Sequence, residues 1–98
     1  MTVYEFRSQV TTNAGSTSTM SLNISGGLCR QVLVQSATSS TVFRVYITDS
    51  HGLIRRNYGM CTGELNDITF IPLSGHSRIN ILNASPDDTF NVYLGVEE

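Results

Sequence analysis

At 98 residues and 10.7 kDa the chain has room for one hydrophobic core and predicts a single domain over residues 1–98. Apolar residues make up 40% and charged residues only 14%, so uncharged polar side chains must cover the surface; the 12 Ser, 11 Thr and seven Asn that do so suit strands and turns rather than helix interiors. A net charge of −2 excludes the basic footprint of a nucleic-acid or anionic-membrane binder, and no apolar run approaches membrane-spanning length.

Tyr4, Phe6, Ser8 and Val10 share one face of a first strand, with Glu5, Arg7 and Gln9 on the other. Asn13-Ala14-Gly15-Ser16 reads as a turn. Met20, Leu22 and Ile24 resume the alternation, and Gly26-Gly27 is expected to end that strand. From Leu28 to Ser36, period two places Leu28, Arg30, Val32 and Val34 on one face and Cys29, Gln31, Leu33 and Gln35 on the other.

The clearest strand is 42–48, where Phe43, Val45 and Ile47 alternate with Arg44, Tyr46 and Thr48. Asp49-Ser50-His51-Gly52 has the residue order of a type I turn closed by a left-handed residue, which predicts a hairpin to residues 53–58. Residues 59–67 have glycines at 59 and 63 and no periodicity, and are expected to form the longest loop. The strand at 68–73 contains Pro72, which cannot donate a ladder hydrogen bond and so marks an edge or a strand end. Ser74-Gly75-His76 is expected to turn the chain into 78–83, with Ile79 and Ile81 inward. After a second hairpin loop at 83–88, Phe90, Val92, Leu94 and Val96 face one side and Asn91, Tyr93 and Gly95 the other. The sum is an all-β chain: a compact antiparallel β-sandwich or small jelly roll of about eight short strands.

Catalytic constellations are thin. His51 and His76 both sit beside glycines in expected turns, with no nucleophile and orienting group in view, so no catalytic residue is assigned. Asp49, Asp67, Asp87 and Asp88 lack calcium-loop spacing and read as turn residues bonding their own backbone; no metal or cofactor is expected. Cys29 and Cys61 show no ligand spacing. The first residues alternate as a strand and contain no signal-peptide apolar region, so a cytosolically made, complete chain with two reduced thiols is expected, Cys29 or Cys61 serving as core filler. In that setting the sequons Asn23-Ile24-Ser25 and Asn83-Ala84-Ser85 are chance matches.

What remains points to surfaces. All six basic residues are Arg, and there is no Lys; Arg is enriched and Lys depleted at protein interfaces. Tyr46 and Tyr93 fall opposite the Phe43 and Phe90 sets and so face outward. With Arg44, Arg55, Arg56 and Met60 they are the candidate interface residues. Outward tyrosines serve equally as seams between subunits, as stacking platforms for sugars, or simply as good strand formers with one wet end.

Ser36-Ala37-Thr38-Ser39-Ser40-Thr41 before a Phe-x-Val-x-Ile strand, the Asp-Ser-His-Gly turn, and Ile79-Asn80-Ile81-Leu82-Asn83-Ala84-Ser85 followed by Thr89-Phe90-Asn91-Val92-Tyr93-Leu94 resemble small virion structural proteins of tailed bacteriophages. The resemblance covers about residues 31–97 and is one of strand and turn texture. It implies a non-enzymatic capsid decoration or cement subunit, or a small adaptor or fibre-attachment module. Such a subunit would be made in the bacterial host cytoplasm and carried on the capsid surface of the virion. Its partners would be the major capsid protein or other virion proteins and copies of itself in a dimer or trimer, without nucleic acid or membrane. The alternative from another class is a carbohydrate-binding module using Tyr46 and Tyr93.

Overall fold

The computed structural model describes the backbone of residues 3–97 and the side chains of these except 3–4, 22–26 and 74. The inward placement expected for Tyr4, Leu22 and Ile24, and the sequon at 23–25, lie outside the described side chains. Six antiparallel strands run in chain order: β1 (Val3–Thr12), β2 (Thr17–Ser36), β3 (Val42–Thr48), β4 (Ile54–Thr62), β5 (Glu64–Asn83) and β6 (Asp88–Glu97). The pairs β1 with β6, β2 with β5 and β3 with β4 nest around the 49–53 turn, so the chain is one long antiparallel ribbon.

That ribbon rolls up because its two 20-residue strands bend. The ladder between β2 and β5 shifts register between Ile24 and Gly27, opposite Gly75 with a φ of 65°. Each strand thereby contributes one half to each of two layers. The first layer has the order β1, β6, 27–36 of β2, 64–73 of β5; the second has 17–24 of β2, 75–83 of β5, β3, β4. Two packed four-stranded antiparallel layers made from eight strand segments are a β-sandwich with jelly-roll connectivity, as the alternation predicted.

Gly26-Gly27 and Ser74-Gly75-His76 therefore do not end strands; they are the corners at which a strand passes from one layer to the other. A Cβ on Gly27 would lie 3.0 Å from a Val96 methyl and 3.1 Å from the Glu97 carbonyl oxygen, so the close crossing itself requires glycine there.

The loop expected at 59–67 is absent: β4 continues to Thr62, β5 begins at Glu64, and Gly63 alone turns the chain. Gly63 has a φ of 74° and donates its N–H to the Thr41 carbonyl at 2.9 Å. Gly59, with a φ of 70°, marks a bulge in which Val45 pairs with Gly59 but Tyr46 with Asn57. Aperiodicity here comes from bulges within strands. The hairpin from β3 to β4 forms as expected, Gly52 N–H donating to the Asp49 carbonyl at 3.1 Å with a φ of 79° at Gly52. Pro72 lies in the half of β5 that pairs on one side only, consistent with its edge assignment.

The core lies between the layers. Phe43, Val45, Ile47, Ile79 and Ile81 come from the second layer, and Val32, Val34, Ile71, Leu73, Phe90, Val92, Leu94 and Val96 from the first; all are buried. Cys29 joins them, whereas strict alternation set it on the face opposite Val32 and Val34. A register shift between Cys29 and Gln31 makes Arg30 an extra residue and reverses the parity behind it.

One end of the sandwich is pinned by polar groups. Buried Asn83 donates to the carbonyls of Thr12 (3.0 Å) and Pro86 (3.1 Å) and accepts from the Ser85 N–H (2.9 Å), tying β1, β5 and the last loop together. Asp88 accepts from the Thr41 hydroxyl at 2.6 Å and the Thr38 N–H at 3.1 Å, anchoring the loop between β2 and β3.

Candidate functional site

The residues considered for chemistry are spread through the fold as structural anchors. Asp49 accepts from the N–H groups of His51 and Leu53 and pairs with Arg55 at 3.0 Å. Asp67 accepts the Tyr58 hydroxyl at 2.7 Å, and Asp87 the Ala14 N–H at 3.1 Å. Among the described residues no three of His, Cys, Asp and Glu come together as cation ligands. Burial pushes the Cys29 thiol up to about 11, against the nearby Gln31 carbonyl contact, and raises Cys61 too, the reverse of an activated nucleophile. The two thiols are unpaired.

Outer faces carry the remaining candidates. On the second layer the register forms rows across the strands: Thr17, Leu82, Arg44 and Met60; Thr19, Asn80, Tyr46 and Asn57; Ser21, Arg78, Thr48 and Ile54. Arg44, Tyr46 and Met60, picked out separately from the sequence, thus meet on one face, Arg44 directly opposite Met60. No carboxylate stands in these rows. Arg44 and Arg78 are exposed and have no ion-pair partner among the described residues, and Met60 and Ile54 are 55% and 58% exposed. Asn80 knits the face from beneath, accepting from the Thr19 hydroxyl at 2.9 Å and donating to Tyr46 and Thr48.

Arg55 and Arg56 lie elsewhere on β4, and only Arg56 reaches the edge half of β5. Arg55 pairs with Asp49. Arg56 reaches over to the Thr69 hydroxyl at 3.1 Å and stands 5.8 Å from the Tyr58 ring. With Tyr58 and Asp67, Arg56 closes one side of the sandwich. Beyond this seam Ile68 and Phe70 project from the edge half of β5, 70% and 64% exposed, and Arg30 stacks on Phe70 at 4.6 Å while pairing with Glu97. The sequence reading did not single out Ile68 and Phe70; their alternation with Thr69 and Ile71 was the available signal.

Tyr93 stands on the outer face of the first layer, on the far side of the sandwich from Tyr46. Arg7 approaches its ring at 5.3 Å, and its hydroxyl donates to Glu5 at 3.2 Å. Burial, followed by the Glu5 carboxylate, pushes the phenol pKa up. The register again makes rows: Gln9, Asn91, Gln35 and Glu64; Arg7, Tyr93, Leu33 and Asn66; Glu5, Gly95, Gln31 and Ile68. The row of Arg7, Tyr93 and Leu33, with Gln9, Asn91 and Gln35 on one side and Gln31 on the other, borders an open hollow of about 610 Å³. A second hollow of about 490 Å³ shares Gln35 and Asn91 and continues toward Ser36, Ser39 and Thr62 at the pinned end.

No protein-family model matches the sequence, and no curated protein matches it. Among solved structures the chain is similar to a chain in the structure of infectious bursal disease virus Gt strain, at 13% sequence identity and a TM-score of 0.35. That similarity covers 98% of this chain and 30% of the other, so this chain spans under a third of its neighbour's length.

Proposed function

We propose that the chain is a non-enzymatic structural protein of a tailed-phage virion, a capsid decoration or cement subunit that docks on the capsid through the outer face of its second layer. One observation carries the docking assignment. Among the described residues Arg44 and Arg78 have no carboxylate partner, and they stand beside Tyr46, Met60 and Ile54 on a face with no acidic residue in its rows. Tyr, Met and Arg are the residues enriched at interface centres, and unpaired guanidiniums present bidentate donors to carboxylates of a partner. The resemblance of residues 31–97 to small virion proteins supports the placement in a phage particle.

Self-association runs through the edge half of β5, a strand segment hydrogen-bonded on one side only that exposes its own Ile68 and Phe70. The experiment is co-sedimentation with phage capsids assembled without this chain, alongside light scattering over a dilution series. Saturable binding that Arg44→Glu and Arg78→Glu together abolish supports the reading. Absence of binding, or binding indifferent to both substitutions, overturns it. A dimer or trimer dispersed by Phe70→Ser supports the edge assignment, and a monomer at all concentrations refutes it.

A further inference from the structure

The hollow on the outer face of the first layer is unexplained by docking through the opposite layer, and its chemistry is specific. Its centre is the half-buried Leu33, flanked along β2 by Gln31 and Gln35 and across β6 by Tyr93 and Asn91, with Arg7 and Gln9 beyond on β1. The amides are held in cross-strand pairs. Gln9 donates to Asn91 at 3.3 Å, Gln31 to Asn66 at 3.2 Å and Gln35 to Glu64 at 3.1 Å. Each pair uses one donor and one acceptor, which leaves the side-chain oxygens of Gln9, Gln31 and Gln35 and the Asn91 amino group free to meet a ligand.

We infer that this hollow binds a neutral oligosaccharide. Hydroxyl groups donate and accept, so they match a surface that presents amide oxygens and amino groups side by side; a phosphate, sulfate or carboxylate would face the free amide oxygens and the neighbouring Glu64, while Arg7, the cation of the lining, is already paired with Glu5 at 3.4 Å. Leu33 supplies an apolar floor for the C–H face of a pyranose. Tyr93 and Arg7 form a wall. The ring of Tyr93 lies down along its strand over Gly95, where a built Cβ would meet the Tyr93 hydroxyl at 3.6 Å, an ordinary van der Waals contact. The adjoining hollow, which shares Gln35 and Asn91, extends the groove and so favours several linked sugars over one. Cross-strand pairing orders the amides before binding, which lowers the entropic cost of engaging a ligand.

The site is independent of the docking face, so its failure and the failure of capsid docking are separable. The test is titration of the folded chain with cellotetraose, maltotetraose, mannotetraose and chitotetraose, each followed through side-chain amide signals in ¹H–¹⁵N spectra, with tetragalacturonate as the anionic counterpart. The expected result is saturable shifts of the Gln9, Gln31, Gln35 and Asn91 amide groups with at least one neutral tetrasaccharide and none with tetragalacturonate. Gln31→Ala and Gln35→Ala are each expected to weaken that binding about five-fold, the loss of a single hydrogen bond, with capsid docking unchanged. No response to any of the four neutral sugars, shifts confined to other surfaces, or stronger binding of tetragalacturonate would overturn the assignment.

Discussion

Phe43 and Phe90 meet edge to face across the two layers, ring centroids 5.1 Å apart and planes inclined at 69°. Both are fully buried, and they are the largest side chains of the core. An edge-to-face pair adds about 0.5–1.5 kcal/mol beyond its area burial, and truncating a buried Phe costs about 3–5 kcal/mol. Phe43→Ala and Phe90→Ala are each expected to destabilise by that amount in urea unfolding, and the double variant by less than the sum, because the second truncation no longer breaks a pair. Strict additivity would show that the two rings do not stabilise each other.

Gly63 separates two kinds of glycine. Gly63 and Gly52 both adopt positive φ, which costs a residue with a Cβ about 1–2 kcal/mol. Around Gly52 nothing lies within 4 Å of a built Cβ, whereas at Gly63 that atom would fall 2.5 Å from the Ser39 carbonyl oxygen. Gly52→Ala should therefore cost only the backbone term. Gly63→Ala must also displace the loop between β2 and β3, and its loss in chemical denaturation should clearly exceed that of Gly52→Ala; equal losses would mean the loop yields freely.

Acid should loosen both ends of the sandwich, at Asp88 in the pinned end and at Asp49 in the β3–β4 turn. The Thr41 hydroxyl, then the N–H groups of Thr89 and Thr38, hold the Asp88 pKa below its ordinary value despite partial burial. At Asp49 burial pushes the pKa up, but the Leu53 and His51 N–H groups and Arg55 outweigh it and leave a net lowering. A carboxyl with a lowered folded-state pKa stabilises fully above its unfolded value of about 3.9 and loses that contribution as pH falls through the folded value. The melting temperature should stay level in this respect from pH 7 to about 5 and drop below about 4. Asp88→Asn should melt lower at neutral pH and converge with the unaltered chain in acid; a constant difference at every pH would remove Asp88 from this account.

How far the fold could be read from residue order depended on whether strands kept their parity. Phe43, Val45 and Ile47, and Phe90, Val92, Leu94 and Val96, were placed correctly because β3 and β6 keep period two over those residues. Parity failed at Arg30, where one extra residue sends Cys29 into the core, and at Gly59, where a bulge made strand look like loop. The corners at Gly27 and Gly75 carry the same residues that end strands elsewhere, and only pairing between positions some fifty residues apart distinguishes a bend from an end. The same reason hid the groove. Gln9, Gln31, Gln35 and Asn91 come from three strands and become neighbours only through register. By contrast Arg44 and Tyr46 sit two apart on one strand, so their shared face was legible locally, with Met60 added by the hairpin.

The two outward tyrosines, equivalent in sequence pattern, are expected to part company in experiment. Tyr46 lies in the row beside Arg44 and Met60 on the second layer, while Tyr93 walls the groove on the first. Neither contributes to the buried core, so Tyr46→Ala and Tyr93→Ala should both leave a folded chain with an unchanged denaturation midpoint within about 1 kcal/mol. Tyr46→Ala should weaken capsid co-sedimentation at least ten-fold, as loss of an aromatic interface anchor does at about 1.4 kcal/mol or more, and leave tetrasaccharide binding intact. Tyr93→Ala should do the reverse. If one substitution impaired both properties, a single face would be serving both, and the division of labour between the two layers would be wrong; if Tyr93→Ala left sugar binding untouched, Leu33 and the amides alone would define the groove.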